Sequence, residues 1–381
     1  MSDSPQLGPI VCIHEDRPAF LVGAKLSILS LRRYCPALPV YVSCPNPPAD
    51  FARWVSAIDG VHLVSIPELQ SAGWNVKATL LLHLLRLGHS QVIWLDSDIL
   101  LNREALSKFT SAPIEVFGAS EEAYWGQSQG SLVRTVAWGL KQGREISCTV
   151  NSGIIRVTPC HVELLVAWQK LLRHPLYTKA QTLRSPSECP LHMITDQDVL
   201  TALLGSADFS GVPLLLLKRG VDIAQCFGAG GFTPWERIRC IFSGLPPLIH
   251  AMGTKPWERE PNAPKLRLSA SGLREYLEFL HLELTPYNAV AQQFRPALSE
   301  DLRWSDSVTI PARMFNFAAA GSAILREFPL SIFDSTAKII RRWLKVSRYE
   351  VRPEFCLNSS PLQEKPEVFS ATERNVMSAG A

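Results

Sequence analysis

Short apolar runs alternate with longer amphipathic ones through most of this chain. Ile10 to Ile13 reads as a buried strand. Phe20 to Tyr34 carries apolar residues at helical spacing, with Arg32 and Arg33 in its last turn, where cations suit the helix dipole. Val40 to Val42 is a second strand, closed by the loop Pro45-Asn46-Pro47-Pro48, and Val61 to Ile66 is a third. Trp74 to Leu87 is an apolar helix that stops at Gly88, a residue suited to the left-handed position after a helix. Val92 to Leu101 is a short, β-branched run that reads as a buried central strand. Further strands are predicted at Ile114 to Phe117 and Ile154 to Val157, and helices at His161 to Leu172 and from Asp196 to Leu204. Leu214 to Leu217 and Leu248-Ile249 are short apolar runs. Strands alternating with helices predict an α/β fold with a parallel, doubly wound sheet.

The pattern changes after about Pro261. Leu273 to Leu284 is amphipathic. Thr309 to Ser347 mixes Phe, Trp, Ile and Leu with the basic residues Lys338, Arg341, Arg342, Lys345 and Arg348. From Asn358 the chain is polar and expected to be disordered. The expected organisation is a domain over residues 1–262, a helical extension over 263–357 and a tail over 358–381.

With 381 residues, 46% hydrophobic and 19% charged, the chain has ample material for a large core. No apolar stretch approaches the ~20 residues of a membrane-spanning helix, and Met1 to Pro9 lacks the basic start and apolar core of a signal peptide. Nine scattered cysteines without a CxxC pair are expected to be reduced, buried small hydrophobes in a cytoplasmic protein. A net charge of +3 gives no case for nucleic-acid binding.

The chemistry is concentrated in two places. Asp96 and Asp98 sit at the C-terminal end of the Val92 run. Side chains two apart on an extended backbone point the same way, so the two carboxylates are expected to converge. Converging carboxylates repel unless a proton or cation lies between them, and a hard divalent ion suits oxygen ligands. Ligands of open α/β sheets bind beyond the carboxyl ends of the strands, where this pair would lie. The second place is His250-Ala251-Met252-Gly253-Thr254-Lys255-Pro256-Trp257. It holds an imidazole ligand, a glycine that permits close backbone approach, and a lysine suited to phosphate. Taken alone, such a histidine before a glycine turn is more often structural.

Together these residues resemble glycosyltransferase family 8, whose pattern has an Asp-x-Asp closing an apolar strand and a late His-x-x-Gly-x-x-Lys-Pro-Trp. Between them the family has an Asn-(Ala/Ser)-Gly segment before an apolar strand, here Asn151-Ser152-Gly153, and an Asp-Gln opening a helix, here Asp196-Gln197. The resemblance covers about residues 10 to 260. It implies a GT-A fold, a Rossmann-like mixed sheet flanked by helices, with a mainly helical C-terminal extension. It further implies a retaining hexosyltransferase that uses a UDP-sugar. Asp96, Asp98 and His250 would hold Mn²⁺ or Mg²⁺. Gly253 and Lys255 would contact the donor diphosphate, and Lys77 the donor sugar and phosphate. Asn151 would touch the sugar, Asp196 and Gln197 would flank its anomeric carbon, and Asp16 would lie near base and ribose.

Two stretches depart from the pattern. Around the first strand the chain reads His14-Glu15-Asp16-Arg17-Pro18, where Glu15 competes with Asp16 for the donor role. Glu121 to Arg144, with Trp125, Gly126 and Trp138, is distinctive and falls where acceptor loops usually sit. Trp74, Trp94 and Trp125 read as core. Gln197 is a poor nucleophile, which favours a same-face return mechanism over a covalent one. Two rival readings are a degenerate relative that binds a sugar nucleotide or glycan without transfer, and a sugar-1-phosphate nucleotidyltransferase. The latter normally carries a Gly-rich loop after the first strand, which His14 to Pro18 lacks. The basic, aromatic C-terminal region reads either as a cap packed on the first domain or as an interfacial element. The second reading makes peripheral contact with the inner face of a membrane, near a lipid-linked acceptor.

Overall fold

A computed structural model describes residues 7–66, 69, 73–122, 130–183, 188–267, 269–343 and 350–362. Its strands are β1 (Ile10–His14), β2 (Val40–Ser43), β3 (Val61–Val64), β4 (Val92–Leu95), β5 (Ile99–Leu101), β6 (Phe117–Glu122), β7 (Thr149–Val157), β8 (Leu214–Leu217), β9 (Ile223–Gln225) and β10 (Leu248–His250). Seven form one sheet in the order β3-β2-β1-β4-β7-β6-β8, and β5-β10-β9 form a small second sheet.

The first half follows the doubly wound expectation. β3, β2, β1 and β4 are parallel, joined by the helices Leu21–Tyr34, Ala49–Ser56 and Lys77–Arg86. The second half departs from it. β7 pairs antiparallel with both β4 and β6, so the sheet is mixed. The central strands are buried on both faces. Ile10, Cys12 and Trp94 pack on the helices Lys77–Arg86, Val162–Leu172 and Asp196–Gly205. Val11, Ile13, Ile93 and Leu95 face the helix Leu21–Tyr34 instead. This two-sided burial explains why these strands read as apolar runs without alternation.

The predicted strand at Ile114 begins three residues later, at Phe117. Ile114 is exposed, and the backbone around it is held by side chains. The buried Arg156 guanidinium donates to the carbonyls of Ala112 (2.8 Å), Pro113 (2.9 Å) and Val116, and Thr158 Oγ1 donates to that of Ile114 (2.6 Å). Asn151-Ser152-Gly153 lies inside β7 rather than before it. Trp94 is core, as expected, and so is Trp138, whose indole donates to the His192 carbonyl at 3.0 Å. Trp125, Gly126 and the Trp74 side chain lie outside the described residues. All nine cysteines are free; six are buried, while Cys160 is exposed, contrary to the expectation for it.

The segment after residue 262 packs against the earlier chain. Tyr287, Val290, Phe294 and Leu302 share a core with Leu26, Leu100, Ala224 and Ile249. A buried Arg259–Glu283 ion pair at 2.7 Å joins the same two segments. Phe355 enters the main core beside Tyr177, and the Leu357 amide donates to the Ala137 carbonyl at 3.0 Å. Among the described residues, no helix is long and apolar enough to cross a membrane.

His192 gives the fold a pH dependence. It is fully buried, its Nε2 lies 3.1 Å from the Phe355 carbonyl, and its Nδ1 has no partner. Burial lowers its pKa to about 4. Below its ordinary value of 6.5 the unfolded chain binds a proton that the folded chain refuses, so stability falls as pH drops from 7 towards 4. The expected contribution of His192 is a loss of roughly 2 kcal/mol between pH 7 and pH 5. Urea unfolding should show it in the wild type and a flatter profile in His192→Gln; equal slopes would assign the dependence to other groups.

Candidate metal and donor site

The site forms where the two sheets meet. β4 ends at Leu95, and Asp96-Ser97-Asp98 turns the chain out of the large sheet into β5, with the Ile99 amide bonded to the Asp96 carbonyl at 3.0 Å. The two carboxylates therefore converge through a tight turn, and not through strand alternation. β5 pairs antiparallel with β10 in a register that sets Ile99 opposite His250. The Ala251 amide donates to the Asp98 carbonyl at 3.0 Å, which fixes the imidazole beside Asp98. Asp96, Asp98 and His250 each present a ligand atom within 4.8 Å of the other two.

The local chemistry fits a divalent cation. Asp98 Oδ1 is buried and lies 3.3 Å from His250 Nε2, yet accepts no well-aligned hydrogen bond. Burial alone would raise the Asp98 pKa, but Lys255 and His250 hold it far below the ordinary carboxylate range. Trp94, two residues before Asp96 and on the same side of the strand, donates its indole N–H to Asp96 Oδ1 at 2.6 Å and fixes that carboxylate. Gly153 keeps the space open. A Cβ there would lie 2.7 Å from His250 Cε1, 2.9 Å from Asn151 Oδ1 and 3.2 Å from Asp96 Oδ2. Two oxygens and one imidazole, with Asp96 partly exposed, suit Mn²⁺ or Mg²⁺ with positions left for other ligands.

The Gly253 turn brings Lys255 back onto this group. Gly253 has φ +73, a region that disfavours side chains. Lys255 Nζ contacts the Asp98 carboxylate and donates to the Ala251 carbonyl at 2.7 Å. Pro256 opens a short 3₁₀ turn. Trp257 then anchors the turn away from the site. It packs against Phe20, Tyr287 and Trp304, and so closely on Gly23 that a Cβ there would meet it at 2.7 Å.

Lys77, first residue of its helix, is buried with its ammonium among oxygens. Its Nζ donates to Ser152 Oγ (2.8 Å) and the Ser152 carbonyl (3.1 Å), and lies 3.3 Å from Asp96 and 3.5 Å from Asp196. Burial opposes its charge, but Asp196 and Asp96 hold its pKa above the ordinary lysine value. Asp196 is not the helix cap. Thr195 takes that position, and Asp198 accepts from the Thr195 amide and hydroxyl, both at 3.0 Å, while pairing with buried Arg134 at 2.9 Å. The Asp196 carboxylate is thus released to accept from Ser152 Oγ at 2.8 Å. Its pKa is raised by burial, with Lys77 opposing.

Asn151 and Gln197 meet over Glu122. Asn151 Nδ2 donates to Glu122 Oε2 (2.6 Å) and Gln197 Oε1 (3.2 Å), and Gln197 Nε2 donates to Glu122 Oε2 (2.9 Å). Burial raises the Glu122 pKa, and the two amides oppose the shift. The structure therefore brings Asp96, Asp98, His250, Lys255, Lys77, Asn151, Asp196 and Gln197 into one region. Asp16 lies half-buried just past β1, while Glu15 is buried and fully engaged. Glu15 takes two bonds from the Arg17 guanidinium (2.7 and 2.9 Å) and one from Ser97 Oγ (2.7 Å). Ser152 and Glu122 were not singled out in the sequence. Ser152 stood inside the Asn-Ser-Gly motif, and Glu122 inside the distinctive stretch Glu121 to Arg144, but neither was given a role.

No protein-family model matches the chain, and no curated protein matches it. Solved structures do. One is a glycosyltransferase involved in glycosylation of the major capsid of PBCV-1, at 13% identity and TM-score 0.38, covering 65% of this chain and 94% of that one. The apo-form glycosyltransferase GlyE of Streptococcus pneumoniae TIGR4 aligns at 14% identity and TM-score 0.41, over 77% of this chain and 64% of that one. The galactosyltransferase LgtC, in complex with donor and acceptor sugar analogs, aligns at 15% identity and TM-score 0.41, over 74% and 95%. Likenesses at this level assign no activity, which rests on the residues of the site.

Two outcomes follow. Gly153→Ala should weaken Mn²⁺ binding at least about tenfold, read by electron paramagnetic resonance, because the new methyl occupies the ligand space; unchanged affinity would place the ion elsewhere. Lys77→Met should cost about 3 kcal/mol in urea unfolding by leaving buried carboxylates uncompensated. Adding Asp196→Asn should recover part of that loss, and no recovery would break the proposed coupling.

Proposed function

We propose that this chain is a metal-dependent, retaining glycosyltransferase of GT-A type that moves a hexose from a UDP-sugar to an acceptor hydroxyl. The observation that carries the reading is the convergence of Asp96, Asp98 and His250 with Lys255 and Lys77 beside them. A cation-binding triad flanked by two ammonium groups suits a leaving diphosphate. When bound, Mn²⁺ or Mg²⁺ supplies Lewis-acid stabilisation of that group's charge. In this reading residues 1–262 form the transferase unit, and residues 263–357 buttress it through the core around Tyr287.

The chain's own residues then divide the work. Lys255 neutralises phosphate charge as a point cation, and Gly253 lets the backbone approach closely. Asn151 and Gln197, oriented by Glu122, offer amide groups to the sugar hydroxyls. Asp16 serves the base and ribose. Asp196 supports positive charge developing at the anomeric carbon, as an oxocarbenium-like centre requires. It is already engaged by Ser152 and Lys77, and Gln197 is a weak nucleophile. We therefore favour same-face return. The bond from anomeric carbon to phosphate oxygen breaks, the acceptor oxygen bonds to the same face, and its proton passes to the departing phosphate oxygen.

Calorimetric titration of UDP, with and without Mn²⁺, tests the donor assignment. Metal-dependent binding in the wild type and none in Asp98→Ala is expected; a wild type that ignores UDP with every metal overturns it. Mass spectrometry after donor turnover should find Asp196 unmodified, and a glycosyl adduct there would replace same-face return with a covalent mechanism.

A further inference from the structure

Three neighbouring helices turn apolar stripes to solvent instead of to the core. On the helix Pro234–Ser243 the outward residues are Trp235 (65% exposed), Ile238 and Phe242 (88%). Its opposite side is fixed inward, where Arg237 donates to the Phe232 and Ile324 carbonyls and pairs with Glu327. On the helix Ile310–Ala318 the outward stripe is Ile310, Met314 and Phe317 (89%), at the spacing of one helix face. On the helix Phe328–Trp343 it includes Ile332, Phe333 (53%) and Ile340.

The last helix joins the other two. It packs on Pro234–Ser243, and its Leu330 shares a small core with Ala312 of the helix Ile310–Ala318. Scattered exposed apolar residues need no explanation, but aligned stripes on adjacent helices mark an interaction surface.

Charge selects the partner. Arg239 and Arg313 are exposed on these helices. Beyond Lys338, which is paired with Asp334, the sequence adds Arg341, Arg342, Lys345 and Arg348 with no acidic residue before Glu350. A second copy would bring the same two exposed arginines to the contact. Large aromatics with cations around them suit an anionic lipid interface.

We propose that these three helices form a face that docks on an anionic lipid surface. Two of the three lie in the C-terminal region suspected from the sequence; the third, Pro234–Ser243, belongs to the earlier chain. The docking does not depend on the transfer chemistry. The face and the site are linked by contacts: Asp334 accepts from the Gly230 amide at 2.7 Å, and the same loop carries Phe227, against which Gly253 sits.

Co-sedimentation of the full chain tests the face, using vesicles of phosphatidylcholine and phosphatidylglycerol in equal parts against phosphatidylcholine alone. The wild type should pellet with the mixed vesicles and less so at high salt. The variant Phe242→Ser/Phe317→Ser/Phe333→Ser should partition at least about tenfold less while keeping its circular-dichroism spectrum. A wild type that stays in the supernatant, or a folded variant that pellets equally, overturns the proposal. So does a wild-type dimer that the variant dissolves, which would give the face to a second copy. If the variant does not fold, quenching of wild-type fluorescence by brominated phosphatidylglycerol, reduced in Trp235→Phe, supports lipid contact, and no quenching refutes it.

Discussion

Carboxylates crowded at the edge of a buried sheet set the terms for this molecule. Asp98, Asp196 and Glu122, all buried, and the partly exposed Asp96 gather near the end of β4 and the first half of β7. Such groups cannot all ionise together without positive charge among them. The chain supplies it as two ammonium groups and sets an imidazole beside them. Lys77 comes from the helix that precedes β4, His250 from the small sheet, and Lys255 from the turn after it. Lys77 reaches both Asp96 and Asp196, and Lys255 and His250 meet on Asp98, so the electrostatic balance belongs to the cluster and not to any pair.

That balance constrains the backbone around it. Gly153 must lack a side chain for His250 and Asp96 to approach. Gly23 must lack one for Trp257 to seat, and Trp257 holds the turn that carries Lys255. The two glycines lie on different elements and answer to different neighbours, yet both serve the same few ångströms of the site. Ser152 is a hinge of another kind: its hydroxyl accepts from Lys77 and donates to Asp196, so one oxygen sets the spacing of an ammonium and a carboxylate.

Much of this was legible in the sequence. Parallel strands buried on both faces leave unbroken apolar runs, and β1 and β2 were read that way within a residue or two, whereas the run Val92 to Leu101, read as one strand, breaks at Asp96 into β4 and β5. The Asp-x-Asp and His-to-Trp segments named the triad, because ligand chemistry restricts residue type more strongly than packing does. What escaped depends on distant partners. Ile114 looked like a strand because nothing nearby shows that Arg156, 43 and 44 positions on from Pro113 and Ala112, claims the carbonyls around it. Glu122 is read only from Asn151 and Gln197, which lie 29 and 75 residues away. Local pattern also misjudged the reason for a correct expectation: Asp96 and Asp98 converge through a turn.

The pairing of β5 with β10 spans about 150 residues of sequence. During synthesis a ribosome-bound chain therefore exposes Asp96 and Asp98 long before His250 emerges. Until the small sheet closes, the early pair stands without the imidazole that faces Asp98 in the folded chain. Completion of the ligand set coincides with docking of the chain's later half. The three candidate ligands are thereby complete only once the polypeptide has been made through β10.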